Sequence, residues 1–320
     1  MIIKVLDKAS MGDDLSFDSL SKFGDVTIFD STGEEELKNR IADADIILIN
    51  KVKIGRETLL AAKKLKLITV FATGYDNIDI KTCKDLGIGV CNVPAYSTDS
   101  VALFTVANVL SLFTHLKEYS RHVSSGIYSE GQSANILTPV YHELKGMVWG
   151  IIGFGNIGRA VAKVAEAFGA EVIVNKRTPV SDYECVDIDT ICRRSDIITI
   201  HCPLNDTTRN LIDDRRISLM KNSVVVVNEA RGAVIDEAAV ANAVLSGRIA
   251  AFGSDVYSVE PFKKEHPFYA IKELDNVCLT PHAAWGAYEA RVRCLNIVCS
   301  NIESFIEGKT LNRVDISRQN

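Results

Sequence analysis

A glycine-rich turn in the middle of the chain restricts the fold more than any other segment. The turn GFGNIG (153–158) directly follows the apolar run VWGII and opens the amphipathic stretch NIGRAVAKVAEAFG, which is followed by a second apolar run, EVIVN. A strand, a glycine turn, a helix and a second strand in this order form the unit that binds a dinucleotide. Because the glycine spacing alone is weak evidence, the prediction depends on the pattern around it. The alternative is a purely structural turn.

Each glycine of this turn has its own expected role. Gly153 permits the tight turn, Gly155 lets the backbone approach the pyrophosphate, and Gly158 lets the helix pack closely on the strand. The N-terminus of the helix faces the anion with its backbone amides. We therefore expect the cofactor to be bound by Gly153, Gly155, Asn156, Ile157 and Gly158.

Apolar runs rich in Ile and Val alternate with amphipathic stretches, such as LSFDSLSKF, over most of the chain. Five such runs, from IIKVL to IGVCNV, lie before residue 94, and six, from MVWGII to NVCLTPH, lie between 147 and 282. Strands that are buried on both faces and joined by helices form parallel sheets. The sequence therefore predicts an α/β fold with two doubly wound parallel-sheet domains. Between the two sets, SVALFTVANVLSLFTHLKEYSRHV is expected to be one long, mostly buried helix.

The position of the glycine turn predicts how the two domains are arranged along the chain. Because the turn belongs to the second set of strands, the dinucleotide domain is inserted within the other domain. We predict a flavodoxin-like substrate-binding domain of residues 1–98 plus 287–320 and a Rossmann-type dinucleotide-binding domain of residues 99–286. Long helical stretches near 98–118 and 286–307 are expected to connect them. The active site would be the cleft between the domains, and its closure would expel water before the reaction.

Composition excludes several classes of partner. The formal net charge is -5, from 36 basic and 41 acidic residues, so the chain lacks the basic surface that nucleic acids and anionic lipids require. No apolar run approaches the ~20 residues that span a bilayer, and the start MIIKVLDKAS lacks the apolar core of a signal peptide, so we expect a cytoplasmic protein. The eight cysteines show no CxxC spacing. We therefore expect small buried thiols rather than disulfides or a metal site.

The residues after EVIVN bear on the choice of cofactor. A site for NAD usually places Asp or Glu at the end of this strand, where the carboxylate bonds the ribose 2′-hydroxyl. Here the strand ends at Asn175 and is followed by Lys176 and Arg177, which suit a 2′-phosphate. The sequence therefore favours NADP(H) over NAD(H), and these three residues are expected to contact the cofactor. The alternative is that the two basic residues are simply solvated in a turn.

Motifs beyond the glycine turn identify a family. The chain resembles the D-isomer-specific 2-hydroxyacid dehydrogenases over nearly its whole length. The further motifs that carry this resemblance are HCPLNDTT (201–208), NEARG (228–232), DVYSVEP (255–261) and TPHAAW (280–285). Within the family, ATGYDNID (72–79), NVPAYSTDSVA (92–102) and HAAW make it most similar to the glycerate dehydrogenases, also called hydroxypyruvate reductases. One departure is that Leu103 and Phe104 stand where the family often has an acidic or amide residue followed by His.

The resemblance implies a catalytic set of Arg231, Glu260 and His282. The chemistry independently requires these types, because reduction of a 2-keto acid needs a cation for the carboxylate and a proton donor for the developing alkoxide. Arg231 would hold the carboxylate and carbonyl oxygens, His282 would donate the proton, and Glu260 would orient the ring and favour the imidazolium. Singly, each has an ordinary structural or surface alternative. All three, however, follow apolar strands of one α/β unit, at the edge where such sheets bind ligands.

The resemblance also implies contacts around this set. Asp255 is similar to the family's Asp that meets the nicotinamide carboxamide. Further cofactor contacts are implied for Cys202, Pro203, Thr207, Ala230 and Ala284. Backbone amides of Thr73 and Gly74 would bind the substrate carboxylate, and Lys51 would either add charge there or be a solvated loop end. The family is expected to form homodimers through the cofactor domain.

The expected activity is hydride transfer between NAD(P)H and a small 2-keto acid, with hydroxypyruvate or glyoxylate reduced to D-glycerate or glycolate. One alternative is a related enzyme for another acid, of the D-lactate or 3-phosphoglycerate type. The phosphoglycerate enzymes commonly carry a C-terminal regulatory domain, which is not expected in a sequence that ends at Asn320. Another alternative is a non-catalytic, dinucleotide-sensing module of the corepressor type. The intact Arg231, Glu260 and His282 argue against it.

Overall fold

The structure is a computed structural model that describes residues 1–316; the last four residues of the predicted substrate-binding segment lie outside the described residues. The strands are β1 (Ile2–Val5), β2 (Asp25–Ile28), β3 (Ile46–Ile49), β4 (Leu67–Val70), β5 (Gly89–Cys91), β6 (Val148–Ile152), β7 (Glu171–Asn175), β8 (Glu184–Cys185), β9 (Ile197–Ile200), β10 (Val225–Asn228), β11 (Ala251–Ser254) and β12 (Val277–Leu279). The helices are α1 (Glu34–Ile41), α2 (Arg56–Ala61), α3 (Ile80–Leu86), α4 (Thr98–Phe113), α5 (Leu116–Ser124), α6 (Ile127–Glu130), α7 (Asn156–Ala167), α8 (Ile188–Arg194), α9 (Asp214–Ile217), α10 (Glu237–Leu245) and α11 (Tyr288–Ile306).

The chain folds into two compact units. The first unit comprises Met1–Ser97 together with the chain from Gly286 onward, and the second is the continuous stretch Thr98–Trp285. Each of the two boundaries between the units lies one residue earlier in the chain than predicted. In sequence, the second unit is inserted within the first.

The first unit contains a five-stranded parallel sheet in the order β2-β1-β3-β4-β5, which is the flavodoxin-like order. The central strands β3 and β4 are buried along their whole length. Two local expectations were wrong. The edge strand β2 is largely exposed because it has one neighbour and carries the polar Asp25 and Thr27. The stretch LSFDSLSKF forms only a short 3-10 turn, Asp18–Phe23, rather than an α-helix.

The second unit contains a seven-stranded parallel sheet in the order β12-β11-β10-β9-β6-β7-β8. From β8 to β11 this is the Rossmann order 3-2-1-4-5-6 read along the sheet, with β12 added at the edge. Both faces are covered: Val225 and Val227 face a cluster around Trp149, whereas Val226 faces a cluster around Phe252. The predicted α/β fold with two parallel sheets is confirmed. The two-residue strand β8 was not predicted, because it is too short to show a periodic pattern.

The single long helix expected over residues 100–123 is instead two helices. The chain breaks at His115, whose φ of +53° lies in the left-handed region, and α4 and α5 differ in direction by 64°. Eight residues of α4 are buried, but none of α5 is, so the expectation of burial holds only for the first part. Neither Gly nor Pro marks the break, so the sequence gives no warning of it. Within residues 1–316 no single helix has the length and apolar character to cross a membrane, although the bent pair α4 and α5 together meets the length and composition criteria.

Candidate active site

The glycine turn lies at the point where the strand order reverses, between β6 and β9. Gly153 has a φ of +93°, and a Cβ added there would lie 2.4 Å from the backbone nitrogen of Cys202. A Cβ at Gly158 would lie 2.5 Å from the carbonyl oxygen of Gly153, whereas a Cβ at Gly155 would meet nothing within 4 Å. An added Cβ would therefore clash with the backbone at Gly153 and Gly158, but it would meet open space at Gly155.

The first turn of α7 presents its backbone amides beside this open position. Gly155 is the N-cap residue, and no side chain caps the helix. The N–H of Arg159 already bonds the carbonyl oxygen of Gly155, at 3.0 Å. Uncapped amides at a helix N-terminus, next to a glycine whose missing Cβ leaves open space, fit the pyrophosphate of a dinucleotide.

The end of β7 carries the residues expected to choose the cofactor. Asn175 accepts the N–H of Gly153 at 3.1 Å through its carbonyl oxygen, and its side-chain Nδ2 donates to the carbonyl oxygen of Val186 at 2.8 Å. Lys176 is half-buried and Arg177 is exposed. Asn175 therefore links the glycine turn at Gly153 to the chain at Val186. Lys176 and Arg177 follow directly after the end of β7.

The loop after β9 runs from the buried Cys202 to the exposed Pro203 and Thr207. Both the N–H and the hydroxyl of Thr207 donate to Oδ1 of Asn205, at 2.9 and 2.7 Å. His201, which sequence reasoning did not single out, has two buried ring nitrogens without a hydrogen-bond partner in the described part of the chain. Burial lowers the pKa of His201 to about 3, so its imidazole is neutral.

Arg231, Glu260 and His282 follow β10, β11 and β12, which are neighbours in the sheet. Asn228 shapes the turn before Arg231, because its Oδ1 accepts the N–H of Ala230 at 3.1 Å and its Nδ2 donates to the carbonyl oxygen of Arg231 at 3.0 Å. A Cβ at Gly232 would lie 2.0 Å from the carbonyl carbon of Tyr257. The Arg231 turn thus packs against the backbone that leads to Glu260.

Glu260 and His282 are in direct contact. Oε2 of Glu260 lies 2.6 Å from Nδ1 of His282, and Oε1 accepts the N–H of Tyr257 at 3.0 Å. The side chains are 30% and 25% exposed, so the pair is partly shielded and still reachable. His282 has a φ of +53°, and its N–H donates to the carbonyl oxygen of Thr280 at 3.1 Å, which places the ring on a tight turn. Because Nδ1 faces Glu260, Nε2 is the nitrogen directed away from that carboxylate.

Asp255 organises the turn that carries His282. Only 1% of it is exposed, and it accepts the N–H groups of Ala283 and Ala284, each at 2.8 Å, and the hydroxyl of Thr280 at 2.7 Å. The hydroxyl of Ser100 on α4 donates to the carbonyl oxygen of Ala284 at 2.6 Å. Thr280 and Ser100 were not predicted. Their only signal in the sequence is that both lie within quoted motifs, TPHAAW and NVPAYSTDSVA.

A buried cluster behind Glu260 was also missed. Glu237 accepts the N–H of Ser258 at 2.8 Å and also bonds the Ser258 hydroxyl, while its Oε2 lies 3.0 Å from Nε2 of His266. The other ring nitrogen of His266 accepts the N–H of Phe268 at 3.2 Å. This cluster anchors the loop between β11 and the cis peptide bond Glu260–Pro261.

Three of the predicted substrate contacts, Lys51, Thr73 and Gly74, lie in the first unit. The carboxylate of Asp7 accepts the N–H groups of Asn50, Lys51 and Val52, at 2.9, 2.5 and 3.1 Å, and so shapes the turn at Lys51. Desolvation is the main reason that the pKa of Asp7 is raised above its usual value. Asp7 was missed, although an acidic residue directly after the apolar run IIKVL was available as a signal.

Thr73 and Gly74 follow β4. The Thr73 hydroxyl donates to the carbonyl oxygen of Val93, and Nδ2 of Asn92 donates to the carbonyl oxygen of Thr73, both at 2.8 Å. The turn is thus held from the segment after β5. Among residues 1–316 no group of three or more His, Cys, Asp or Glu side chains is arranged to hold a metal ion.

A Rossmann-ordered sheet, an uncapped glycine turn and an imidazole–carboxylate pair at the same sheet edge define a dinucleotide-dependent dehydrogenase. Comparison with known proteins gives the family. The model of the D-isomer specific 2-hydroxyacid dehydrogenase NAD binding domain matches residues 106–284. The hydroxypyruvate reductase of Blautia hydrogenotrophica is 35% identical over 94% of this chain and 95% of that protein. The glycerate dehydrogenase of Methylorubrum extorquens is 35% identical over 88% of each.

Solved structures agree with this result. An acyclic imino acid reductase in complex with NADPH and D-Arg superposes with a TM-score of 0.87, at 32% identity, over 98% of this chain and 100% of that one. The chain therefore belongs to the D-isomer specific 2-hydroxyacid dehydrogenases, and the resemblance drawn from the sequence is confirmed. It is an oxidoreductase with an NAD(P)-binding domain that transfers a hydride to or from a small 2-keto or 2-hydroxy acid.

Proposed function

We propose that this enzyme reduces a short 2-keto acid, hydroxypyruvate or glyoxylate, to D-glycerate or glycolate, with NADPH preferred over NADH. The observation that carries the proposal is the Glu260–His282 pair, at 2.6 Å, on the strand edge next to Arg231. The relatives in Blautia and Methylorubrum are named for hydroxypyruvate and glycerate, and other relatives are named glyoxylate reductases.

Each catalytic side chain has a step that its position supports. Arg231 binds the substrate carboxylate and polarises the 2-oxo group with its planar guanidinium, of which Nη1 also donates to the carbonyl oxygen of Ala230 at 2.8 Å. Nε2 of His282 donates a proton to the 2-oxo oxygen as that oxygen gains charge. Glu260 fixes the ring through Nδ1 and stabilises the imidazolium before the proton leaves. The bound nicotinamide supplies the hydride that C2 of the substrate receives.

The cofactor is assigned to the glycine turn and the strand ends beside it. The amides of Asn156, Ile157 and Gly158 would bond the pyrophosphate, and Asp255 would face the nicotinamide carboxamide near Ala230 and Ala284. Cys202, Pro203 and Thr207 would line the cofactor from the loop after β9. Lys176 and Arg177 would bind the 2′-phosphate, and the neighbouring Asn175 offers no carboxylate to repel it. The imino acid reductase of similar structure was crystallised with NADPH.

The first unit is proposed to be the substrate-binding domain. There, the backbone amides of Thr73 and Gly74 would bind the substrate carboxylate, and Lys51 would add positive charge. The second unit is proposed to be the cofactor domain. The turn at Lys51 is held by Asp7, which accepts the backbone N–H groups of Lys51 and Val52.

A homodimer is proposed through the second unit. The exposed apolar side chains on and after α4, α5 and α6 support this proposal. They are Leu103 (70%), Leu116 (60%), Val123 (57%), Ile127 (56%), Leu137 (77%) and Val140 (69%). A second copy of the chain would cover them, and light scattering of wild type and of Leu116→Asp tests this. We also propose that the enzyme acts in the cytoplasm on a small molecule, without nucleic acid or membrane partners.

A substrate panel tests the function directly. Purified protein is assayed with hydroxypyruvate, glyoxylate, pyruvate and 3-phosphohydroxypyruvate, each with NADPH and NADH, by the absorbance of the reduced nicotinamide. We expect the highest kcat/KM with hydroxypyruvate or glyoxylate and NADPH. His282→Asn is the control that separates catalysis by this site from a contaminating reductase. Binding of cofactor without turnover of any keto acid would contradict the proposal and favour a dinucleotide-sensing module.

A further inference from the structure

Glu229 is a buried carboxyl group that the proposed reaction does not use. It lies between Asn228 and Ala230 at the end of β10, and only 8% of it is exposed. Its Oε1 accepts a hydrogen bond from Nδ2 of Asn108 at 2.8 Å. Asn108 is itself 4% exposed on α4, so this bond joins the helix to the strand end two residues before Arg231.

The second carboxyl oxygen of Glu229 is buried and has no hydrogen-bond partner among residues 1–316. A buried carboxylate with one bond and an unsatisfied oxygen is costly, whereas the neutral acid loses much less solvation energy. Desolvation, and then the charge of Asp255, raise the pKa of Glu229 to about 8, against the opposing effect of the Asn108 hydrogen bond. The side chain is therefore uncharged at neutral pH.

Three other titratable groups face Glu229 from the elements packed beside it. Asp255 follows β11 and holds the His282 turn through Ala283 and Ala284. Tyr257, also after β11, and Cys278 on β12 both have a raised pKa, caused first by burial and in part by the charge of Glu229. From α5, Lys117 acts on Cys278 in the opposite direction. The charge that acts on Glu229 itself is the negative one of Asp255.

Helix α4 touches both catalytic turns. Asn108 bonds Glu229 next to the Arg231 turn, and Ser100 bonds Ala284 next to the His282 turn. A change of charge at Glu229 would therefore act on the end of β10, on α4 and on the carboxylate of Asp255.

We propose that Glu229 is a pH-responsive positioning residue. Its side chain joins the end of β10 to α4 through Asn108, and while it is uncharged it leaves Asp255 without a second negative charge beside it. When Glu229 ionises, the two buried carboxylates repel each other, the turns on which they lie loosen, and the cofactor is bound less tightly. The weaker binding of the cofactor rests on the proposed function, because that function assigns Asp255 to the nicotinamide. The protonation of Glu229 does not rest on the proposed function.

The first test is the thermal unfolding of the cofactor-free protein. The folded-state pKa of Glu229 lies above its usual value of 4.5, so the stabilising effect of its proton is full below about pH 4.5 and is lost as the pH rises to about 8. Glu229→Gln keeps the shape of the neutral acid and cannot ionise. We expect the Tm difference, variant minus wild type, to grow between about pH 5 and about pH 8 and then to level off.

Two further variants keep the unfolding test decisive. Glu265→Gln changes an exposed glutamate of the same unit and should give a Tm difference that does not vary with pH. Asn108→Ala removes the hydrogen bond that favours the charged form of Glu229. The stability of this variant should therefore level off at a higher pH than the stability of wild type. A Tm difference for Glu229→Gln that is independent of pH would overturn the proposal, as would an unchanged pH dependence in Asn108→Ala.

The second test is the dissociation constant of NADPH, measured by calorimetry without substrate at about pH 7 and about pH 9. Wild type should bind roughly tenfold more weakly at the higher pH, which corresponds to one unit of pKa coupling, while Glu229→Gln should bind equally at both. Equal weakening of both proteins would overturn the positioning role. Failure of wild type to bind NADPH or NADH at neutral pH would contradict the proposed function instead, and the unfolding test would still decide whether Glu229 is protonated.

Discussion

The seven-stranded sheet carries two groups of functional residues along one edge, and they are built from different parts of the chain. At β6 and β7 the site is backbone: the glycine turn and the uncapped amides of α7. At β10, β11 and β12 the site is side chains: Arg231, Glu260 and His282. Asn228 donates to the backbone of Arg231, the N–H of Tyr257 donates to Glu260, and Asp255 accepts the N–H of Ala283 on the His282 turn. In the proposed reaction, the first group would supply binding through shape, and the second would supply charge and a proton through side chains far apart in sequence.

This difference predicts that the two groups tolerate different changes. A backbone site fails when a Cβ is added, because the space is taken by the chain itself at Gly153 and Gly158 and is assigned to the pyrophosphate at Gly155. A side-chain site fails when a charge or a proton donor is removed, even though the fold remains. Substitutions at the two ends should therefore separate binding from catalysis.

The largest expected effect is at His282. His282→Asn removes the proton donor while a side chain of similar polarity remains on the turn, so kcat should fall about 10³-fold. The dissociation constant of NADPH should stay within a factor of two or so, because the glycine turn is untouched. Steady-state kinetics and calorimetry measure the two quantities. A kcat within tenfold of wild type would show that another group donates the proton.

Arg231→Gln should have a slightly smaller effect. The variant keeps a hydrogen-bond donor but loses the charge and the planar fork, so kcat/KM for the keto acid should fall by about 10² to 10³. The fall should appear in both KM and kcat, since the guanidinium would bind the carboxylate and polarise the carbonyl. Arg231→Lys restores the charge without the fork and should recover only part of the loss. Full recovery by Lys would contradict the bidentate role.

The glycine turn provides a matched pair of variants. Gly153→Ala forces a Cβ to 2.4 Å from the backbone of Cys202 at a φ of +93°, so the free energy of unfolding should fall by about 3 kcal/mol. Gly155→Ala meets nothing within 4 Å and should change that free energy by less than about 0.5 kcal/mol. Because the space at Gly155 is assigned to the pyrophosphate, this second variant should nevertheless bind NADPH more weakly. Denaturant unfolding measures the stability of each variant, and calorimetry measures its affinity for NADPH. Unchanged NADPH affinity in Gly155→Ala would show that the pyrophosphate does not bind at this turn.

The smallest effect is expected at the end of β7. The double change Lys176→Ala and Arg177→Ala removes the charges assigned to the 2′-phosphate, so NADPH should bind about tenfold more weakly while NADH is unaffected. The ratio of the two dissociation constants is the measurement. Equal changes for both cofactors would place the 2′-phosphate elsewhere.

The fold was largely predictable because buried parallel strands leave a strong apolar pattern, and the glycine turn was predictable because its glycines stand between a strand and a helix of that pattern. The break at His115 was not, since no Gly or Pro marks it and only tertiary packing decides that α5 turns away from α4. The charged residues of the site could be named from their motifs. The residues that hold them could not: Glu237 lies 21 residues from Ser258, and Asn108 lies 121 residues from Glu229. Such pairs are set by the order of strands in the sheet and leave no local pattern.

The central claim is that a dinucleotide held at the glycine turn brings its nicotinamide to the edge formed by β10, β11 and β12. A crystal structure with NADPH and oxamate, an unreactive analogue of a 2-keto acid, tests it most directly. We predict that the pyrophosphate bonds the first-turn amides of α7 and that Nε2 of His282 lies about 3 Å from the oxamate oxygen that replaces the 2-oxo group. A nicotinamide bound away from this edge, or an oxamate held without contact to His282 and Arg231, would contradict the account.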